Sequence, residues 1–228
     1  MANLPTNFPR NICAYCGSDQ VQDFDHVPPQ TLFPHPRPSN LITVPICSKC
    51  HSDTSKDDEY FRLKISLRDD VGNHPKARAN WDSIFRSLQR DEAKGLKESF
   101  LSDIHSVRLR TQAGLYLGRA EAYNVDMERI QRVVERIVRG LYFAEMGHPL
   151  GLENEVNVHT EEGLMHQPPD SLAILERTIL VPLASVGAKL VGDGVFAYWF
   201  KTTEEQPEAS VWVFNFYEKL RFLCFTGS

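Results

Sequence analysis

Two Cys-x-x-Cys pairs, Cys13/Cys16 and Cys47/Cys50, constrain this 228-residue chain more than any other feature. Each pair sits among turn residues, Gly17-Ser18 after the first and Ser48-Lys49 inside the second, which favours knuckles over helix. Four such sulfurs suit the tetrahedral shell that Zn2+ takes in structural sites, and a reducing cytosol keeps them as thiols. The alternative is redox-active or unrelated thiols. Cys224 stands alone near the end of the chain. Residues 1–56 also hold 8 of the 14 prolines and little helical periodicity. A loop-rich module with short strands follows, too small to bury a core unaided, so that metal binding contributes the missing folding free energy.

From Asp57 the pattern turns helical. Asp57-Asp58-Glu59 puts carboxylates at a helix start, where the dipole favours them, and Trp81, Ile84, Phe85 and Leu88 follow helical spacing. The clearest helix runs from Asp126 to Met146, with Ile130, Val133, Val134, Ile137, Val138, Leu141 and Tyr142 in one apolar stripe before Gly147 and Pro149. Past Pro149 the residues read as antiparallel strands: 195–200, 210–217 and 220–226, with turns at Gly192-Asp193-Gly194 and Glu218-Lys219. The fold class expected is α+β, in three parts: 1–60, a zinc-stapled module; 61–148, helical; and 149–228, β-rich and packed on the helices. The longest apolar stretch, 179–188, is far short of the ~20 residues a bilayer helix needs, and residues 1–10 show no secretory pattern. No membrane partner and a cytoplasmic location are expected.

The net charge of −5 argues weakly against a general nucleic-acid binder, but its distribution is uneven. Residues 57–146 carry 16 basic and 15 acidic groups, against 5 and 11 in 147–228. Helical spacing collects Arg129, Arg132, Arg136 and Arg139 along one side of a helix. That stripe suits an anionic partner, or equally a solvated face with ion pairs such as Glu128 with Arg132.

Between the knuckles lies Asp23-Phe24-Asp25-His26-Val27-Pro28-Pro29, then Asn40-Leu41, and His51 directly follows Cys50. An Asp-His pair, an Asn-Leu 14 residues after it and a Cys-x-x-Cys-His, in this order, resemble an HNH endonuclease over residues 12–60. The Asp-His-Val-Pro-Pro form resembles a stand-alone bacterial or phage subgroup. The resemblance implies a ββα-metal nuclease module in which Asp25 and His51 hold a catalytic divalent ion, Mg2+ or Mn2+, and His26 is the general base. Many relatives carry Asn where His51 stands. A softer imidazole ligand then shifts the preference towards Mn2+, Ni2+ or Zn2+. Asn40 ties the loop between the strands and keeps His26 oriented.

The residue chemistry agrees with those roles. A neutral imidazole is abundant at pH 7 and accepts a proton from water, while one carboxylate and one imidazole leave most octahedral positions open. On a regular strand Asp25 and His26 face opposite sides, so a bend near Pro28-Pro29 is expected to bring both towards one phosphate. The loop 30–39 adds His35 and Arg37, either of which can touch a phosphate, and Lys56 follows His51 by five residues. The resemblance further implies hydrolysis of nucleic acid, DNA before RNA, in a setting such as bacterial defence or a mobile element, with a homodimer or partner protein for cutting both strands. The alternative is a zinc-stabilised binding or assembly module that has lost turnover.

Overall fold

In the computed structural model, residues 8–52, 55–111 and 113–227 are described. Strands Val21–Val27 (β1) and Ile42–Cys47 (β2) pair antiparallel, and helix Ser48–Ser52 (α1) starts directly where β2 ends. The prolines of the β1–β2 connection leave room for only one short helical turn, Gln30–Leu32. Helix Ser55–Ser66 (α2) follows, with Asp57 and Asp58 in its first turn.

The middle of the chain holds short helices Asp69–Gly72 (α3), Pro75–Ala79 (α4), Trp81–Ser87 (α5) and Lys94–Asp103 (α6). It is not helical throughout: His105–Arg110 (β3) and Tyr116–Ala122 (β4) form an antiparallel hairpin. Neither strand has a buried residue, so no alternating apolar pattern marks them. Phe85 also departs from the expected apolar stripe, being 49% exposed on α5.

Helix Met127–Met146 (α7) organises the molecule. Asp126 caps its start by accepting from the amides of Glu128 and Arg129, and Gly147 ends it with a left-handed φ of 79°. Its stripe from Ile130 to Ala144 is buried. Beyond it, strands Glu155–Thr160 (β5), Lys189–Val191 (β6), Phe196–Thr202 (β7), Ser210–Phe216 (β8) and Leu220–Gly227 (β9) make one antiparallel sheet in the order β5-β9-β8-β7-β6. The third part is not purely strand-like. Helices Glu161–Met165 (α8), Pro169–Leu175 (α9) and Val181–Ala184 (α10) separate β5 from β6, and α9 runs into α10 through a π-helical segment, Glu176–Leu180, that directly precedes the Pro182 turn.

A single buried cluster runs from Cys13 and Ala14 through Phe61, Val134 and Tyr142 to Trp212 and Cys224. The amino-terminal hairpin therefore shares its core with α7 and the sheet. Gly140 allows this, since a Cβ there would lie 2.6 Å from Val27 Cγ2 on β1. Among the described residues, no helix is long and apolar enough to cross a membrane.

Candidate metal centre and the carboxylate cluster beside it

The local backbone brings the two knuckles together. The Cys13 amide donates to the Ser18 carbonyl (2.7 Å) and the Gly17 amide returns to the Cys13 carbonyl (2.9 Å), a tight loop that needs the φ of +73° at Gly17. The Ala14 amide donates to the Pro45 carbonyl (2.9 Å), which pins the first knuckle to β2, where the second begins. The four Sγ atoms all lie within 4.8 Å of one another, and Cys16 Sγ is 3.7 Å from Cys47 Sγ. A tetrahedral sulfur shell with Zn–S near ~2.3 Å has S–S edges of about 3.8 Å, so the set fits an ion such as zinc. The Cys47 amide donates to Cys13 Sγ (3.4 Å), which favours a sulfur carrying negative charge. Burial, and then the neighbouring thiols, push the Cys50 thiol up, while the Cys50 amide holds Cys47 down at about 7. Four sulfurs this close cannot all ionise without a cation among them.

Beside this centre a second group of polar side chains gathers. The buried Tyr15 hydroxyl, from within the first knuckle, donates to Asp25 Oδ2 at 2.7 Å. Arg136 of α7 lies between two carboxylates: its Nε is 3.9 Å from Asp25 Oδ2, and its Nη2 donates to Asp58 Oδ1. Burial raises the Asp58 carboxyl to about 6 despite Arg136. On the neighbouring position, burial is outweighed by Arg132 and Arg129, which hold Asp57 below the usual carboxylate range at 2.8 and 2.7 Å. Tyr15, Cys50, Asp58 and Arg136 line a cavity of about 290 Å3 between the metal centre and α7. Asp25 Oδ1 accepts no hydrogen bond among the described residues.

The remaining candidates are spread around this cluster. Asp25 pairs with Val44, His26 with Thr43 and Val27 with Ile42 in an unbroken ladder, so the expected bend does not fall at the Asp-His pair. The ladder's irregularity lies earlier, between Val21 and Asp23. Asp25 and Val27 face α7, through Arg136 and Gly140, and alternation turns His26 to the other face of the hairpin. Burial lowers the His26 pKa, with Asp25 opposing and Arg37 adding to the fall, so the imidazole is neutral at pH 7. Asn40 is bonded to the carboxyl-terminal region: its Nδ2 donates to the Leu190 carbonyl (2.9 Å) and its Oδ1 accepts from the Gly192 amide (3.2 Å). This differs from the expected tie within the β1–β2 loop, because the sheet packs close enough to take both halves of the amide. His51 lies exposed on α1, a helix packed against both β1 and β2. Among the described residues, the four cysteines form a group of three or more ligand atoms close enough for one ion, and Asp25, His26 and His51 do not form another.

Tyr15, Asp58 and Arg136 are the site residues that motif reading passes over. Arg136 had a signal in the arginine stripe, but its partners are tertiary. Arg129 and Arg132 reach Asp57, Arg136 reaches Asp25 and Asp58, and Arg139 pairs with Glu135 at 3.0 Å while bonding the Asn154 carbonyl. Lys56 contributes its carbonyl, which accepts from Arg129 Nη2 at 2.8 Å. Comparisons with protein-family models, with curated proteins and with solved structures give no match to this chain.

Proposed function

We propose that residues 1–60 form an HNH-type nuclease module that hydrolyses phosphodiester bonds in DNA with a divalent ion, held in shape by one structural zinc. The observation that carries the reading is the placement of the motif: Asp25 and His26 on β1, the second knuckle at the β2–α1 junction, and His51 on the helix packed against the same hairpin. Asp25 Oδ1 and His51 are the groups that would hold the catalytic ion, Mg2+ or Mn2+, and the donor set of one carboxylate oxygen and one imidazole fits an ion that keeps open positions. Such an ion, when bound, stabilises charge on the phosphoryl oxygens. His26, kept neutral by burial, is the group that would take the proton from the attacking water at an imidazole nitrogen, and because it lies on the face of β1 opposite Asp25 the reading requires the phosphate to reach both round the strand. Tyr15 orients the Asp25 carboxylate through its 2.7 Å hydrogen bond. Asn40 fixes the end of the β1–β2 loop against residues 190–192.

The test is plasmid nicking by the zinc-loaded protein with Mg2+ or Mn2+. Wild type nicks, and His26→Ala abolishes nicking while its zinc content and fold are unchanged. Equal cutting by the two proteins rejects the assignment of the base.

A second reading has its own observation. Arg136 already lies against both Asp25 and Asp58 where a catalytic cation would compete with it, which suits a zinc-stabilised binding or assembly module without turnover. That reading requires that no cation added to the zinc-loaded protein support nicking, and that expression be equally tolerated with and without His26.

A further inference from the structure

On another side of α2 from Arg136 lies a larger cavity of about 480 Å3, walled by Thr31 and Arg37 of the β1–β2 loop, Arg62 of α2, and Arg90 just beyond α5. Arg62 is the informative residue. It is only 6% exposed, yet no carboxylate lies within salt-bridge distance of it among the described residues. Its guanidinium donates to two neutral hydroxyls, Ser87 Oγ at 2.7 Å and Ser83 Oγ at 3.4 Å, and its Nε is buried with no partner. Thr31 Oγ1, in the same wall, is also buried without a partner. A buried guanidinium whose hydrogen bonds go only to neutral hydroxyls, with Glu59 acting on it from beyond salt-bridge distance, is costly, and an anion relieves that cost with charge-assisted hydrogen bonds.

The charge around the cavity agrees. Arg37 and Arg90 are exposed at its edges, and His35 stands beside Arg37. Two carboxylates share the wall, but Asp58 is engaged by Arg136 from the far side, leaving Glu59 against three guanidinium groups. Arginine forks from three separate elements match the several acceptor oxygens of a phosphate better than a single carboxylate. The cavity is also connected to the proposed chemistry, because Arg37 acts electrostatically on His26.

We propose that this cavity is a phosphate subsite that holds a backbone phosphate of the DNA strand through Arg62, with Arg37 and Arg90 at its mouth. The inference rests on the nuclease reading for the identity of the strand.

The experiment measures binding of a short fluorescein-labelled DNA duplex by anisotropy, without added Mg2+ or Mn2+, to zinc-loaded His26→Ala protein. Arg62→Gln, Arg37→Gln and Arg90→Gln are then added singly. Arg62→Gln lowers affinity at least about tenfold. Each substitution reduces the slope of log K against log salt by about 1, the signature of one lost phosphate contact. Arg37 and Arg90 are exposed, so their variants keep the test decisive if Arg62→Gln melts at a lower temperature. Unchanged affinity and slope in all three variants overturn the proposal. Inorganic phosphate provides the other arm: if it raises the melting temperature of the parent protein through Arg62 but does not displace the duplex, the site takes free phosphate and the DNA assignment falls. Normal duplex binding by the arginine variants, together with His26-dependent nicking by wild type, would sink the subsite alone. Arginine-dependent binding by a wild type that never nicks would sink the nuclease reading alone.

Discussion

Gly140→Ala tests the contact on which the placement of Asp25 depends. In the middle of an exposed helix this change is stabilising, since alanine is better than glycine by about 1 kcal/mol. Here the new methyl would lie 2.6 Å from Val27 Cγ2, 3.1 Å from Val27 Cγ1 and 3.2 Å from the Tyr15 hydroxyl oxygen. Carbon atoms pack best at about 3.5–4.0 Å, so the overlap with Val27 approaches roughly 1 Å. Val27 has little freedom to turn away, being β-branched and 2% exposed, and Tyr15 is held by its bond to Asp25. Overpacking of this kind costs roughly 1–3 kcal/mol, towards the upper end for an overlap this deep, and it exceeds the helical gain. A net loss of about 1–2 kcal/mol is expected, read by urea denaturation of the zinc-loaded protein. Val27→Ala makes room for the methyl. In the double variant the Gly140→Ala step should then become neutral or favourable, a coupling of about 1–3 kcal/mol between the two sites. If Gly140→Ala alone stabilises the protein by about 1 kcal/mol, β1 does not lie against α7, and the Tyr15–Asp25–Arg136 arrangement loses its foundation.

Other substitutions probe separate parts of the argument. Cys13→Ser should reduce bound zinc from about one ion per chain to none and abolish cooperative unfolding, as metal analysis and thermal melts would show; a fully folded, zinc-free variant would refute the staple. Asp57 and Asp58 should respond to pH with opposite signs. The Asp57 carboxyl is held below its ordinary 3.8, so its stabilisation is present above that value and fades as pH falls through its lower folded value; Asp57→Asn should remove that acid loss. Asp58 is raised from 3.8 to about 6, so the folded state binds its proton more tightly and stability declines as pH rises between those values. Asp58→Asn should flatten the decline in denaturation midpoints across that window. Asn40→Asp keeps an acceptor for the Gly192 amide but sets a carboxylate against the Leu190 carbonyl, and should cost about 1 kcal/mol in denaturation experiments. An unchanged midpoint would show that the loop is not tied to residues 190–192.

The residues by themselves determined which four cysteines could hold a metal and where the longest helix runs, because spacing and periodicity mark both in short stretches. Cysteine spacing marks the four sulfurs and turn-forming neighbours mark the first knuckle, although Ser48 and Lys49 of the second, expected in a turn, begin helix α1 instead; Asp126, the apolar stripe and Gly147 prescribe the start, buried face and end of α7. Strands β7, β8 and β9 of the carboxyl-terminal sheet were legible for the same reason, being rich in aromatic and β-branched residues with a buried side, whereas β5 and the three-residue β6 at its two edges were not. The β3–β4 hairpin and the helices between β5 and β6 were not, since their side chains are mostly exposed and leave no periodic mark. Only the tertiary structure decided what surrounds the candidate site. Asp25 meets Tyr15 10 residues earlier and Arg136 on α7, and Asn40 meets residues 150 and 152 positions away. Those meetings follow from Gly140 letting β1 approach α7 and from the sheet closing over the loop. Charge partners of this kind depend on which faces pack together, a property of the whole core that no short stretch of residues contains.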